Sequence, residues 1–167
     1  HPYNPQNNVN YTVDESGLNT HYPDHPGANT QPFFFTTPEQ RNNHCVLFYQ
    51  QKFVSQLMEV SLPFSNVLYC MNNESSGEEE WSKYWALFVK SHADRKQRKV
   101  YLTEMWDEWD LTAAQHRQTF DHPDLFGFVD VSQNNHNSGD QHWDNFLYVS
   151  KRLATPPRPM NTPQTKG

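Results

Sequence analysis

The distribution of proline constrains the fold of this chain more than any other feature of its sequence. Of the 12 prolines among 167 residues, ten lie before residue 39 or after residue 155. Proline fixes φ and lacks a backbone N–H donor, so it interrupts helices and inner strands. We therefore predict one domain, residues 1–167, that begins with a long ordered loop over residues 1–36.

Helical and strand patterns alternate from residue 37 onward. A helix is predicted from a Thr37 cap to a stop before Pro63, because apolar residues recur there with helical spacing. Three more helices are predicted from Ser76, over residues 111–120 and over residues 143–153. Four apolar segments of strand length lie at residues 66–71, 99–103, 126–131 and 158–162. This alternation indicates the α/β class, with a parallel sheet.

Composition excludes several classes of protein. Lys and Arg number 13 against 19 Asp and Glu, a net charge of −6 that argues against a nucleic-acid partner. No apolar run reaches the roughly 18 residues of a membrane span. The chain itself contains no signal peptide and starts without Met, so we expect a piece of a longer protein, with any signal peptide upstream. Its compartment stays open, with secretion and the periplasm included, and no cofactor is expected.

Polar side chains follow three of the predicted strands. Glu74 follows the first strand, Glu104 the second and His136 the third. In parallel α/β folds the chemistry lies at the carboxyl ends of the strands, so we expect these groups to share a site. Desolvation raises the pKa of a carboxyl group there, as a general acid requires, and two carboxylates suffice for glycosidic bond cleavage. The alternatives are a helix cap for Glu74 and a charge partner for Glu104.

The residues around these carboxylates suit a sugar, which offers an apolar C–H face and a ring of hydroxyls. We predict that Trp106 and Trp109 are stacking platforms, with packing against the next helix as the alternative. The predicted hydroxyl-binding residues are Asn73, Asn134, Asn135 and His136. His136 has a simple surface position as its alternative. The pattern favours a poly- or oligosaccharide as the partner.

A metal centre is the weaker interpretation of the histidines. His21, Asp24 and His25 lie close together in a proline-rich loop, but nothing sets a coordination geometry, so no metal is expected. His1 is shared with copper-dependent polysaccharide oxidases, which hold copper with an N-terminal histidine. Those enzymes are β-sandwiches, and the similarity stops at this one residue.

The segment over residues 66–74, which reads NVLYCMNNE, resembles the fourth strand of the clan-A glycoside hydrolases. These are retaining (β/α)8-barrel enzymes in which an apolar run ends in Asn-Glu. The resemblance implies that Glu74 is the acid/base and that Asn73 contacts a sugar hydroxyl. Residues 100–104, 128–131 and 158–161 then resemble the fifth, sixth and seventh strands. We therefore expect a partial (β/α)8 barrel, since a full one needs about 250 residues.

The chain departs from this family where the nucleophile should stand. The family nucleophile is a Glu near the end of the seventh strand, but residues 161–167 contain no carboxylate. Either the nucleophile lies beyond this chain, or Glu104 replaces it, or the protein is a non-catalytic carbohydrate-binding relative. A structural protein is a third class, since fold does not fix function. A half-barrel is also expected to self-associate or to join the missing portion.

Overall fold

A computed structural model describes residues 1–22, 31–153 and 157–160 of the chain. Across these ranges the chain forms five α-helices and two short strands. Their bounds are α1 (Val13–Ser16), α2 (His44–Ser61), β1 (Leu68–Cys70), α3 (Glu79–Arg95), β2 (Tyr101–Thr103), α4 (Ala114–Phe120) and α5 (Gly139–Arg152). Two 3-10 helices lie at Pro32–Phe34 and Ser132–His136. No helix in this described part is long and apolar enough to cross a membrane.

The predicted partial (β/α)8 barrel is wrong. The described residues are rich in helix and contain one sheet, the parallel pair of β1 and β2, in which Tyr69 lies opposite Leu102. An apolar run in a parallel sheet is usually buried on both faces, yet Leu68 of β1 is 55% exposed. Of the predicted fourth strand, residues 161 and 162 lie outside the described residues.

The predicted third strand, residues 126–131, does not form. These residues contact the predicted fourth strand through an isolated parallel bridge between Val129 and Met160. The Asp130 N–H donates to the Thr103 hydroxyl (3.1 Å) instead of a strand carbonyl. The regular ladder therefore does not extend beyond β2, and the chain enters a 3-10 helix directly after this segment.

Helix α2 begins later than its predicted cap. The Asn43 side chain accepts a hydrogen bond from the Val46 N–H (3.1 Å) and so caps the helix at His44. The Thr37 hydroxyl instead donates to Gln40 Oε1 (3.0 Å) in a preceding turn. Asn is as good an N-cap as Thr, so the sequence is compatible with a helix that begins after Thr37 or after Asn43. Because residues 37–40 form a turn, the helix begins after Asn43.

Three apolar clusters hold these elements together. The first joins α2, α3 and β2 through Met58, Leu62, Ala86, Val89, Ala93, Leu102 and Phe126. The second joins α4, α5 and residues 129–131 through Leu111, Phe120, Val129, Val131, Val149 and Leu153. The third packs the predicted N-terminal loop onto α2 through Tyr11, Leu18, Phe33 and Val46. The carboxyl ends of β1 and β2 lie near α3 and α4. The Asn72 amide donates to the Ser82 hydroxyl of α3 (3.1 Å), and the Thr119 hydroxyl of α4 donates to Glu104.

Candidate active site at the ends of β1 and β2

Two loops lie side by side beyond the carboxyl ends of β1 and β2. The Asn72 side-chain oxygen accepts a hydrogen bond from the Met105 N–H (2.7 Å). The Ser75 N–H donates to the Met105 carbonyl (3.2 Å), and the Asp107 N–H donates to the Ser75 carbonyl (3.0 Å). Residues that follow two different strands therefore form one continuous surface.

Asn73 and Glu74 are both exposed in the first loop, as are Ser76 and Glu78 further along it. Glu74 has a left-handed backbone, with φ of 46°, a conformation that costs a residue other than glycine about 1–2 kcal/mol. A cleft of about 90 Å³ opens beside this loop, with Asn72, Gly77 and Trp81 in its wall. The expected burial of Glu74 is wrong, because β1 ends at residue 70 and leaves this carboxylate on an exposed turn.

Glu104 is the buried counterpart of Glu74. It directly follows β2 and is 1% exposed. The Thr119 hydroxyl of α4 donates to its Oε2, and its Oε1 has no hydrogen-bond partner among the described residues. Burial raises the pKa of this carboxyl group to about 7, against a smaller lowering by the Thr119 hydroxyl. A carboxyl group with a raised pKa therefore follows β2, at the second of the two predicted carboxylates.

We expect Glu104 to make the protein less stable as the pH rises from about 4.5 to about 7. The pKa is about 7 in the folded chain and 4.5 ordinarily, so the folded state holds more protons across this window. The contribution of Glu104 to the free energy of unfolding is fully present below pH 4.5. About 3 kcal/mol of it is lost once the pH rises above about 7. Urea unfolding of the wild-type and Glu104→Gln chains between pH 4 and 8 measures this loss.

The diagnostic quantity is the difference between the two unfolding curves, because other groups titrate equally in both chains. The control is Glu59→Gln, whose carboxylate is 52% exposed and pairs with Lys96 on the surface. That substitution is expected to leave the pH profile nearly unchanged. Parallel profiles for the wild-type and Glu104→Gln chains would contradict a buried carboxyl group with a raised pKa.

The two predicted aromatic platforms have different surroundings. Trp106 is 2% exposed, and its indole N–H donates to the Thr119 hydroxyl oxygen (2.9 Å). It packs in the interior, as the alternative interpretation holds, and is closed to a ligand. Trp109 is 53% exposed and stacks on exposed His136, with ring centroids 4.6 Å apart and planes 9° apart. Of the two tryptophans, Trp109 alone presents a ring to solvent.

A buried amide cluster supports the loop that carries Trp109. Asn134 is fully buried, and its Oδ1 accepts from the side-chain amides of Asn137 (3.2 Å) and Asn145 (3.1 Å). Both amides also donate to the Trp109 carbonyl, at 2.7 Å and 3.1 Å. Asn134 therefore positions the loop and is not open to a sugar, contrary to its predicted role.

The sequence pattern did not single out three residues that shape this region. Asn137 and Asn145 bond the Trp109 carbonyl, and Thr119 connects α4 to Glu104. A buried asparagine in a helix such as α5 is a weak signal that its side chain bonds another element. Asn135, which was predicted to bind sugar, is half-buried and has an Oδ1 without a partner among the described residues.

The described residues contain no group of three or more His, Cys, Asp or Glu side chains that could hold a metal ion. Of the weak histidine motif, Asp24 and His25 lie outside the described residues. The His21 ring shares a hydrogen bond with the Thr20 hydroxyl (3.0 Å). The candidate site is thus a surface of amide, carboxylate and aromatic groups.

Comparisons with known proteins match no family model, no curated protein and no solved structure. A functional assignment for this chain therefore rests on the site itself. Its exposed members are Asn73 and Glu74 on the first loop, and Trp109 and His136 beyond the second.

Proposed function

We propose that this chain binds a poly- or oligosaccharide and cleaves its O-glycosidic bonds by carboxylate acid/base chemistry. The carrying observation is the pair of hydrogen-bonded loops beyond β1 and β2. One loop exposes Asn73 and Glu74, and the other leads directly into the exposed ring of Trp109. Amide, carboxylate and flat aromatic groups on one surface match the hydroxyls, the scissile oxygen and the apolar face of a sugar.

In this mechanism Glu74 is the proton donor. Its carboxyl group stands on an exposed turn, so a glycosidic oxygen can approach it from solvent. Glu74 donates its proton to that oxygen as the C–O bond breaks, and the leaving sugar departs as an alcohol. The anomeric carbon then bonds either to a water that Glu104 deprotonates or to Glu104 itself, in an ester that water hydrolyses. Asn73 stands beside Glu74 and would bond a ring hydroxyl. This assignment rests on the resemblance of Asn73-Glu74 to the Asn-Glu pair of the glycoside hydrolases. It does not require the barrel fold of that family.

The second carboxylate of the mechanism is Glu104. A retaining enzyme holds its two carboxyl groups about 5 Å apart, and an inverting one about 6.5–9.5 Å apart. Glu104 is 1% exposed, so a substrate reaches it only if the surrounding side chains move. A local opening between β2 and α4, which meet at the Thr119 hydroxyl, would provide that access.

The burial of Glu104 also favours a second candidate function, carbohydrate binding without hydrolysis. With Glu104 buried, Glu74 lacks the predicted partner carboxylate that completes the displacement, but the chain can still hold a sugar. The exposed Trp109 ring and the Asn73 amide are sufficient for binding. Measured turnover separates the two candidates, because a non-catalytic chain retains the glycan and releases no reducing ends.

The test of sugar binding is Trp109→Ala, which we expect to weaken polysaccharide affinity about tenfold, as the loss of a key aromatic contact does. Affinity electrophoresis and pull-down against cellulose, xylan, mannan and pectin measure the binding, and reducing-end assays measure cleavage. The control is Trp143→Ala, since Trp143 is 57% exposed on α5 and stacks on Phe146. Equal loss in both variants, or no binding to any of these glycans by the wild-type chain, would contradict the proposal.

A further inference from the structure

The half-buried guanidinium of Arg158 lies against the end of α4. Within the described residues, its Nη1 donates to the carbonyls of Thr119 (3.0 Å) and Phe126 (3.1 Å). Its Nη2 donates to the carbonyl of Phe120. Thr119 and Phe120 are the last two residues of α4. The last carbonyls of a helix have no partner inside the helix, so a planar, positively charged guanidinium suits them in both geometry and charge. Arg158 thus fixes the end of α4.

The backbone around Arg158 is itself held in place. The Arg158 N–H donates to the carbonyl of Leu153, directly after α5 (3.2 Å). The Val129 N–H donates to the Pro159 carbonyl (3.0 Å). Met160 packs against the second apolar cluster. The guanidinium therefore connects α4 to a segment whose own position is fixed from two sides.

Thr119 connects the end of α4 to Glu104. Its hydroxyl donates to Glu104 Oε2 and accepts from the Trp106 indole N–H (2.9 Å). Its carbonyl accepts from Arg158 at the same time. The backbone of one residue is thus bonded to Arg158 while its side chain covers Glu104. A displacement of the last turn of α4 would move this hydroxyl away and open the buried carboxyl group to water.

We propose that Arg158 is a positioning residue that holds Glu104 in its buried setting through Thr119 and the end of α4. The role rests on the proposed function, in which Glu104 is the second carboxylate of the mechanism. Arg158 acts through Thr119 and is not itself a catalytic residue. The titratable groups that face Glu104 from α3 and β1 are Glu79 and Cys70. Substitution of Arg158 leaves both of them in the chain.

The test is the titration of the Glu104 carboxyl group, followed by NMR of the glutamate side-chain carboxyl carbons in the full chain. Glu104→Gln identifies the signal. The wild-type midpoint is expected at about 7, because burial raises this pKa. In Arg158→Gln the end of α4 loosens and water reaches the carboxyl group, so the midpoint is expected to fall toward 4.5, by about one pH unit or more. Loss of the positive charge alone would raise the midpoint, so a fall reports the loss of burial.

Two matched variants separate this role from general stabilisation. Arg152→Gln removes a guanidinium that bonds the Asp121 side chain just beyond α4, and it is expected to leave the midpoint unchanged. Thr119→Val removes the hydroxyl that lowers the pKa of Glu104, so it is expected to raise the midpoint. A wild-type midpoint in folded Arg158→Gln would overturn the proposal. Equal falls in Arg158→Gln and Arg152→Gln would also overturn it.

If Arg158→Gln does not fold, Arg158→Lys decides the question. Lysine keeps the charge, but its compact ammonium group lacks the planar fork that reaches three carbonyls. Its midpoint is therefore expected to fall as well, though by less, and a wild-type midpoint in that variant would overturn the proposal. The titration needs no sugar. A chain that cleaves no glycan would thus contradict the proposed function, whereas a fixed midpoint would contradict the role of Arg158 alone.

Discussion

Glu74→Gln is expected to lower the rate of glycoside hydrolysis by about 10²- to 10⁴-fold, the usual contribution of a general acid. Glutamine keeps the shape and hydrogen-bonding reach of the side chain but cannot transfer the proton. Because Asn73 and Trp109 remain in place, polysaccharide binding is expected to be unchanged. Reducing-end release on a cleaved glycan and affinity electrophoresis on the same glycan measure the two properties separately.

The control for this substitution is Glu80→Gln, in the first turn of α3 and outside both loops of the site. It is expected to leave turnover within a factor of two or so of the wild-type rate. If Glu74→Gln turns over as fast as the wild-type chain, Glu74 is not the proton donor. If the wild-type chain binds a glycan and never cleaves it, binding without hydrolysis becomes the function.

Trp106→Ala is expected to lower the free energy of unfolding by about 3–5 kcal/mol, as removal of a buried large side chain does. The indole ring is 2% exposed and its N–H bonds the Thr119 hydroxyl oxygen, so the substitution leaves a cavity and removes one of Thr119's hydrogen bonds. Trp109→Ala, at a 53% exposed ring, is expected to cost much less. Urea unfolding of the three chains measures the difference.

An additional variant, Trp106→Phe, separates the packing of the ring from its hydrogen bond. It retains most of the buried volume and removes the N–H donor, so its loss of stability is expected to lie between wild type and Trp106→Ala. Equal stability losses for Trp106→Ala and Trp109→Ala would show that the interior position of Trp106 is wrong.

The sequence predicted the main helices and the positions of the two strands, but not the sheet. The patterns over residues 66–71 and 99–103 do contain β1 and β2, since β-branched and aromatic residues bounded by turns favour strands. The same reasoning failed at residues 126–131, where the Asp130 N–H bonds a side chain. Apolar composition alone does not reveal whether a neighbouring strand is present to complete a ladder.

The sequence predicted where the residues of the candidate site lie along the chain, but not which of their side chains are buried. Glu74 and Glu104 each follow a strand, as the sequence indicates, yet one is exposed and the other is buried. The difference depends on α4, whose Thr119 lies over Glu104 and is distant in sequence. In the helix predicted over residues 143–153, Trp143 is 57% exposed, whereas Asn145, Val149 and Leu153 are buried.

At Glu74 the requirements of stability and of catalysis conflict, because its backbone is left-handed and its side chain carries the carboxylate. Its φ of 46° is a conformation that glycine adopts freely and that a glutamate adopts at a cost. A chain selected only for stability would therefore favour glycine at this position and lose the carboxylate. Stabilised variants of this protein should thus be screened for sugar turnover, since substitutions at residue 74 can increase stability by abolishing the chemistry.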